Sequence, residues 1–211
     1  GPEAPSICAE VRHPVDPLWL VDTLLPALQG KALTTAQREW IGRCQRALPE
    51  EGRMLYAFSM LSRRTGEVRL ELGGMAAEQL SDYATRLDLG WISEILPILS
   101  DADKLTFAVD IGEALSPRVG LGASFFRSPR REPRWAALLS RLSARGLCDP
   151  EKMSSILRWS GADSAWTSPA SWPLEEMGGG SYLVRSISHL KLVAWPDREP
   201  EAKAYLAFQS V

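Results

Sequence analysis

Three stretches of this 211-residue chain alternate apolar and polar residues with a period of two, and helical patterns separate them. This alternation constrains the fold more than any other feature. A period of two puts successive side chains on opposite faces of a strand, so each stretch predicts a β-hairpin with one face turned to a core. The first is MLYAFSMLSRRTGEVRLEL, Met54 to Leu72. Val68, Leu70 and Leu72 alternate with Glu67, Arg69 and Glu71, and Arg63 to Gly66 supplies the turn. The second is LTFAVDIGEALSPRVGLGASFF, Leu105 to Phe126, with its turn expected near Ser116-Pro117. Leu105, Phe107, Val109 and Ile111 share one face with Val119, Leu121, Ala123 and Phe125. The third is SHLKLVAWPDREPEAKAYLAF, Ser188 to Phe208.

Helical signals fill the intervals. Leu18 to Leu28 predicts a short helix that Pro26 limits. Thr34 and Gln37 form a T-x-x-Q capping box ahead of a helix that ends near Leu48. Further helices are expected over 76–87 and 91–99, the latter interrupted by Pro97. Pro133 to Arg145 keeps helical spacing and stops at Gly146. Asp149-Pro150 supplies an N-cap and first position for a helix reaching Trp159.

Residues 1–17 hold four prolines and read as an irregular arm, with Gly1-Pro2 as the scar of a cleaved tag. Residues 160–180 read as a long loop, and loops of that length often carry function. The predicted fold is α+β: three β-hairpins alternating with helices, in a single domain over 18–211. Sequential hairpins join most simply into an antiparallel sheet of about six strands, half-barrel-like, with the helices packed on one face.

Composition narrows the partners. With 24 basic and 26 acidic residues well mixed, no field of one sign favours nucleic acid. No apolar run is long enough for a membrane span, so no membrane partner is expected. Three cysteines, far apart and without CxxC spacing, point to a reducing cytoplasm rather than a disulfide scaffold. His13 and His189 are the only histidines, so no metal site is expected. Nothing matches a phosphate loop or a dinucleotide fingerprint, so no cofactor is implied. No serine sits in a nucleophile elbow.

The sheet face turned away from the helices carries the chemistry. The first hairpin gives it Arg69 and Glu71. The second gives Thr106, Asp110, Arg118 and Ser124, with Ala108, Gly120 and Gly122 leaving space. The third gives His189, Lys191, Lys203 and Tyr205. A turn centred near Arg198 puts Lys191 opposite Tyr205, so these groups could converge on one anion. Two readings stand open. A wet sheet face shows the same alternation, and lysines guard edge strands. Alternatively the face binds a ligand, and glycine inside a strand marks a close approach. Asp110 and Arg118 read as a cross-strand ion pair. Should the face do chemistry, His189, Tyr205 and Asp110 are the candidate catalytic groups. The candidate ligand-binding groups are Arg69, Arg118, Lys191, Lys203 and Tyr205, with Trp166 and Trp172 of the long loop as covers.

The hairpin grammar of FAVDIGEALSPRVGLGASFF (107–126) and LKLVAWPDREPEAKAYLAF (190–208) resembles the ABBA-type (PT-barrel) prenyltransferases. In that family a K-x-Y-like pair points into the barrel and shields an allylic diphosphate. Lys203-Ala204-Tyr205 matches that pair, with Lys191 as its neighbour, while the second hairpin lacks a basic pair. Six strands do not close the ten-stranded barrel of that family unless two chains cooperate. Residues 120–159 also resemble an uncharacterised bacterial family associated with natural-product and modified-peptide pathways.

These features lead to three expectations. The first is a ligand- or peptide-binding accessory protein of bacterial specialised metabolism, holding a small organic molecule or peptide on the polar face. The second is a prenyltransferase-like enzyme whose lysines, arginines and Tyr205 neutralise a diphosphate leaving group. The third is an interaction module working through an exposed sheet edge, a homodimer among its forms.

Overall fold

The computed structural model describes residues 7–11, 16–59, 66–164 and 182–210. In chain order the elements are β1 (Ile7–Glu10), α1 (Pro17–Trp19), a π turn (Leu20–Leu24), α2 (Leu25–Gln29), α3 (Thr35–Ala47), β2 (Arg53–Ser59), β3 (Val68–Gly73) and α4 (Ala77–Arg86). Two 3₁₀ turns (Gly90–Glu94 and Leu96–Ile98) lead to β4 (Lys104–Ile111) and β5 (Leu115–Ser124). Then come α5 (Arg134–Ala144), α6 (Pro150–Trp159), β6 (Gly161–Ser164), β7 (Tyr182–Ala194) and β8 (Glu201–Ser210). Among the described residues, no helix is long and apolar enough to cross a membrane.

The fold is α+β with an antiparallel sheet, as the alternation predicts. Its strand order is β1-β2-β3-β4-β5-β7-β6, and β8 pairs with β7. Among the described residues the sheet has eight strands rather than about six. β1 arises inside the proline-rich stretch 1–17 and pairs with β2. β6 opens the stretch read as loop 160–180 and pairs with β7. A third difference is the second hairpin's turn. It falls at Gly112–Ala114, where the Gly112 N–H donates to the Ala114 carbonyl at 3.1 Å. Ser116 and Pro117 stand inside β5 instead. Pro117 is exposed near the strand's start, where a missing N–H is tolerated.

The chain divides into two compact units. The first comprises Gly1–Ser100, Lys104–Gly122 and Leu192–Pro200, and the second Asp101–Asp103, Ala123–Lys191 and Glu201–Val211.

In the first unit the strand registers line up three apolar rows: Ser59–Val68–Ile111, Ala57–Leu70–Val109 and Met54–Leu72–Phe107. Every one of these side chains is buried. Helices cover this face. Tyr83 of α4 stands edge-on to Phe107 at 5.9 Å, and its hydroxyl donates to the Cys44 carbonyl of α3 at 3.2 Å. The predicted capping box at Thr34 and Gln37 is formed. The buried Gln37 does more, donating its amide N–H to the Gly66 carbonyl at 3.0 Å and so tying α3 to the start of β3. Burial pushes the Cys44 thiol up to about 11, which keeps it a protonated core group.

The stretch predicted as one helix over 18–28 is helical but widened. The Leu25 N–H reaches back to the Leu20 carbonyl, five residues away, and Pro26 follows at once. A proline lacks an N–H and crowds the carbonyl four residues earlier, so the wide turn relieves the clash ahead of it. Gly30 ends the segment in the left-handed region, φ +69. Around Pro97 the expected helix shortens to the two 3₁₀ turns.

In the second unit α5 buries Trp135, Leu138, Leu139 and Leu142. Trp135 meets Phe125 edge-on at 4.9 Å, and its indole N–H donates to the Arg127 carbonyl at 2.8 Å. Arg134 braces the start of α5 by donating to Glu132 at 2.7 Å and pairing with Asp103 at 2.9 Å. That guanidinium pulls the Glu132 carboxyl down to about 2. α6 starts as expected at Asp149, whose carboxylate accepts from the Lys152 N–H at 2.8 Å, yet it buries no side chain fully.

Candidate ligand-binding face

Residues that pair directly across strands share a sheet face. In the first unit, the rows between the apolar ones therefore build the opposite face. One row runs Cys8–Phe58–Arg69–Asp110, and the next runs Glu10–Tyr56–Glu71–Ala108. Arg118 of β5 reaches this face and bonds to Asp110.

The centre of this face is a carboxylate clamped by two arginines. Arg69 donates Nε to Asp110 Oδ1 at 2.7 Å and Nη2 to Oδ2 at 2.8 Å, a bidentate pair. Arg118 donates Nη1 to Oδ2 at 3.0 Å. Asp110 is 2% exposed, and the two arginine side chains are 15% and 23% exposed. The expected Asp110–Arg118 ion pair is thus present, and Arg69 joins it. Charge-assisted bidentate bonds of this length fix orientation as well as adding energy. Asp110 consequently anchors two guanidinium planes.

Aromatic rings surround the clamp. The Arg118 guanidinium lies 5.7 Å from the Trp195 ring centroid, and Arg198 lies over the same ring at 3.5 Å. Both distances are within cation–π range. Phe58 occupies the row of Arg69, and Tyr56 lies 6.1 Å from Phe58, tilted and partly exposed. Gly120 and Gly122 hold strand positions beside Asp110's strand without side chains of their own.

The third-hairpin candidates His189, Lys191, Lys203 and Tyr205 belong to the second unit. His189 and Tyr205 stack nearly parallel, with ring centroids 4.3 Å apart, so they are cross-strand neighbours. The His189 Nδ1 lies 3.1 Å from the Ser188 hydroxyl. Lys191 is only 8% exposed, a buried cation with neighbouring groups engaged on it. Lys203 is exposed and reaches Glu201 at 3.6 Å. Lys203 also lines, with Ala202, Ala204, Leu190, Leu142 and Ile156, a cleft of about 660 Å³ beside α5 and α6. Trp166, Trp172 and His13 lie outside the described residues. No group of three metal-ligating side chains gathers among the described residues.

Sequence reasoning missed Tyr56, Phe58 and Trp195. Read with a strict period of two, Met54, Tyr56 and Phe58 share a face. A register shift between Met54 and Tyr56 breaks that parity. Met54 then points to the core with Ala57, and the two rings turn to the face of Arg69. A bulge leaves little trace in residue type. Trp195 follows the end of β7, so no strand pattern placed it.

Comparison with protein-family models, curated proteins and solved structures finds no match to this chain.

Proposed function

We propose that this protein binds a small organic anion or a peptide carboxylate on the polar sheet face of its first unit, as an accessory protein of bacterial specialised metabolism. The observation that carries the reading is the clamp: two guanidiniums held at fixed angles by a buried Asp110, with Trp195, Phe58 and Tyr56 around them. Binding groups held in place before the ligand arrives lose less conformational entropy on association. Arginine planes suit carboxylate and phosphate oxygens, and the rings suit a flat or apolar body beside that anion. Among the described residues this arrangement shows no nucleophile paired with a base, so the reading is one of binding rather than turnover.

Calorimetric titration with aromatic carboxylates, peptides ending in an aromatic residue and isoprenoid diphosphates tests this. The expected result is saturable heat from at least one carboxylate class. Arg118→Met should then weaken it by roughly 10- to 150-fold, the value of a charged hydrogen bond of about 1.5–3 kcal/mol. Lys203→Ala should leave it unchanged. Absence of heat from every compound sinks the reading.

The diphosphate transferase stands second, supported by the buried Lys191 and the His189–Tyr205 stack. Diphosphate binding lost in Lys203→Ala, with turnover of the donor, would place it first.

A further inference from the structure

β8 is a ten-residue strand in which no described side chain is buried. Tyr205 and Leu206 are exposed at 43% and 45%, and Phe208 at 69%. Among the described residues β8 pairs as a strand with β7 alone, so its other edge offers backbone donors and acceptors that no described strand takes up. Edge strands are normally blunted by proline, charge, a bulge or brevity. Beyond Lys203 this strand reads AYLAFQS, with no charge and no proline over seven residues. A long apolar edge of that kind is a template for another strand.

The residue pattern of β8 fits a second copy of itself. We propose that the protein forms a two-fold dimer in which β8 pairs antiparallel with β8 of a second copy, about an axis at Leu206. In that register Leu206 faces its own counterpart, and each aromatic side chain meets an alanine. Phe208 lies opposite Ala204, and Tyr205 opposite Ala207. Lys203 faces Gln209, so no like charges oppose one another. An isologous contact demands this kind of self-complementarity, and an antiparallel strand pair supplies it with one symmetry operation. The apolar face of the new ribbon adjoins a cleft whose lining includes Leu139, Leu142, Ile156 and Leu190. Ala202 and Ala204 line the cleft beside α5 and α6, and the partner's Phe208 ring would sit against Ala204 at its margin. The same four rows that hide the edge therefore also cover the exposed Leu206 and Phe208. The inference shares no residue with the ligand face of the first unit and stands or falls separately.

Sedimentation velocity of the full chain over a concentration series tests it, with Leu206→Lys and Phe208→Lys alongside. The expected result is a species of twice the 23.3 kDa chain mass. Leu206→Lys sets two ammonium groups across the axis and should weaken the dimer roughly tenfold or more, with a similar loss for Phe208→Lys. Both positions are exposed within one chain, so circular dichroism and thermal midpoints should match the parent and certify the fold. A chain that stays monomeric at its highest soluble concentration overturns the proposal. So does a dimer that both lysine variants leave intact, or a monomer that takes up a synthetic extended peptide along β8.

Discussion

Asp110→Ala is the substitution that most sharply tests the clamp. The wild-type carboxylate is 2% exposed and accepts three N–H groups from Arg69 and Arg118, at 2.7, 2.8 and 3.0 Å. The variant leaves two guanidiniums facing a cavity where their counter-charge had been. Removing one partner of a buried ion pair destabilises by about 3–5 kcal/mol. The arginine side chains are 15% and 23% exposed, so water recovers part of their solvation and the lower end applies, about 3 kcal/mol. For a chain of this length 1 kcal/mol moves Tm by about 2–4 °C, giving a drop of roughly 6–12 °C. Thermal unfolding followed by circular dichroism, with a urea series for the midpoint, reads both quantities. A second variant separates stability from recognition. Asp110→Leu combined with Arg69→Met and Arg118→Met replaces the triad by apolar groups of similar volume. Such exchanges are often neutral or stabilising, so this variant should recover most of the lost stability while binding no anion. If Asp110→Ala unfolds within about 1 kcal/mol of the parent, well below the expected loss, the clamp is not the buried network described. The same holds if the triple variant is as unstable as the single.

Two further outcomes follow from other parts of the fold. Arg134 holds the Glu132 carboxyl at about 2 against an ordinary 4.5, so its contribution to stability is complete above 4.5 and disappears as the pH falls towards 2. Asp103 shifts in the same direction, chiefly because its carboxylate accepts the Phe126 N–H. Urea midpoints should therefore fall faster for the parent than for Glu132→Gln across that window, and equal slopes would contradict the pairing. Gly74 and Gly30 both have left-handed backbones, φ +80 and φ +69, so alanine at either should cost about 1–2 kcal/mol. A Cβ at Gly74 would also lie 2.3 Å from the Glu51 carbonyl oxygen, whereas at Gly30 it meets nothing within 4 Å. Gly74→Ala should accordingly be the worse by about 1–3 kcal/mol in urea unfolding, and equal losses would refute the close approach.

The three hairpins, the capped α3 and the Asp149-Pro150 start of α6 are legible because each rests on several residues that agree. Val68, Leu70 and Leu72 repeat one periodicity, and Thr34 with Gln37 is a reciprocal pair rather than a single preference. β1 and β6 escape for the opposite reason. ICAE and GADS have four residues each, too few to establish a period, and Gly161 and Ala162 offer almost no side chain to read. The misplaced turn of the second hairpin follows from weighing Pro117 above Gly112, although an exposed proline can stand in a strand. The Arg69–Asp110–Arg118 part of the candidate face came from alternation alone, because those strands keep register across β3 and β4. Its aromatic part did not, because one shifted residue in β2 reverses the parity of every ring that follows.

The π turn before Pro26 has an implication for how this segment can change. The extra backbone residue and the proline answer one another: shorten the turn by one and Pro26 is driven onto the carbonyl four residues before it, whereas replacing the proline first leaves a wide turn with nothing to accommodate. The two features are mechanically coupled. Single-residue deletions between 20 and 24 should be tolerated far better in a Pro26→Ala background than in the parent, which thermal unfolding of the paired variants reads directly.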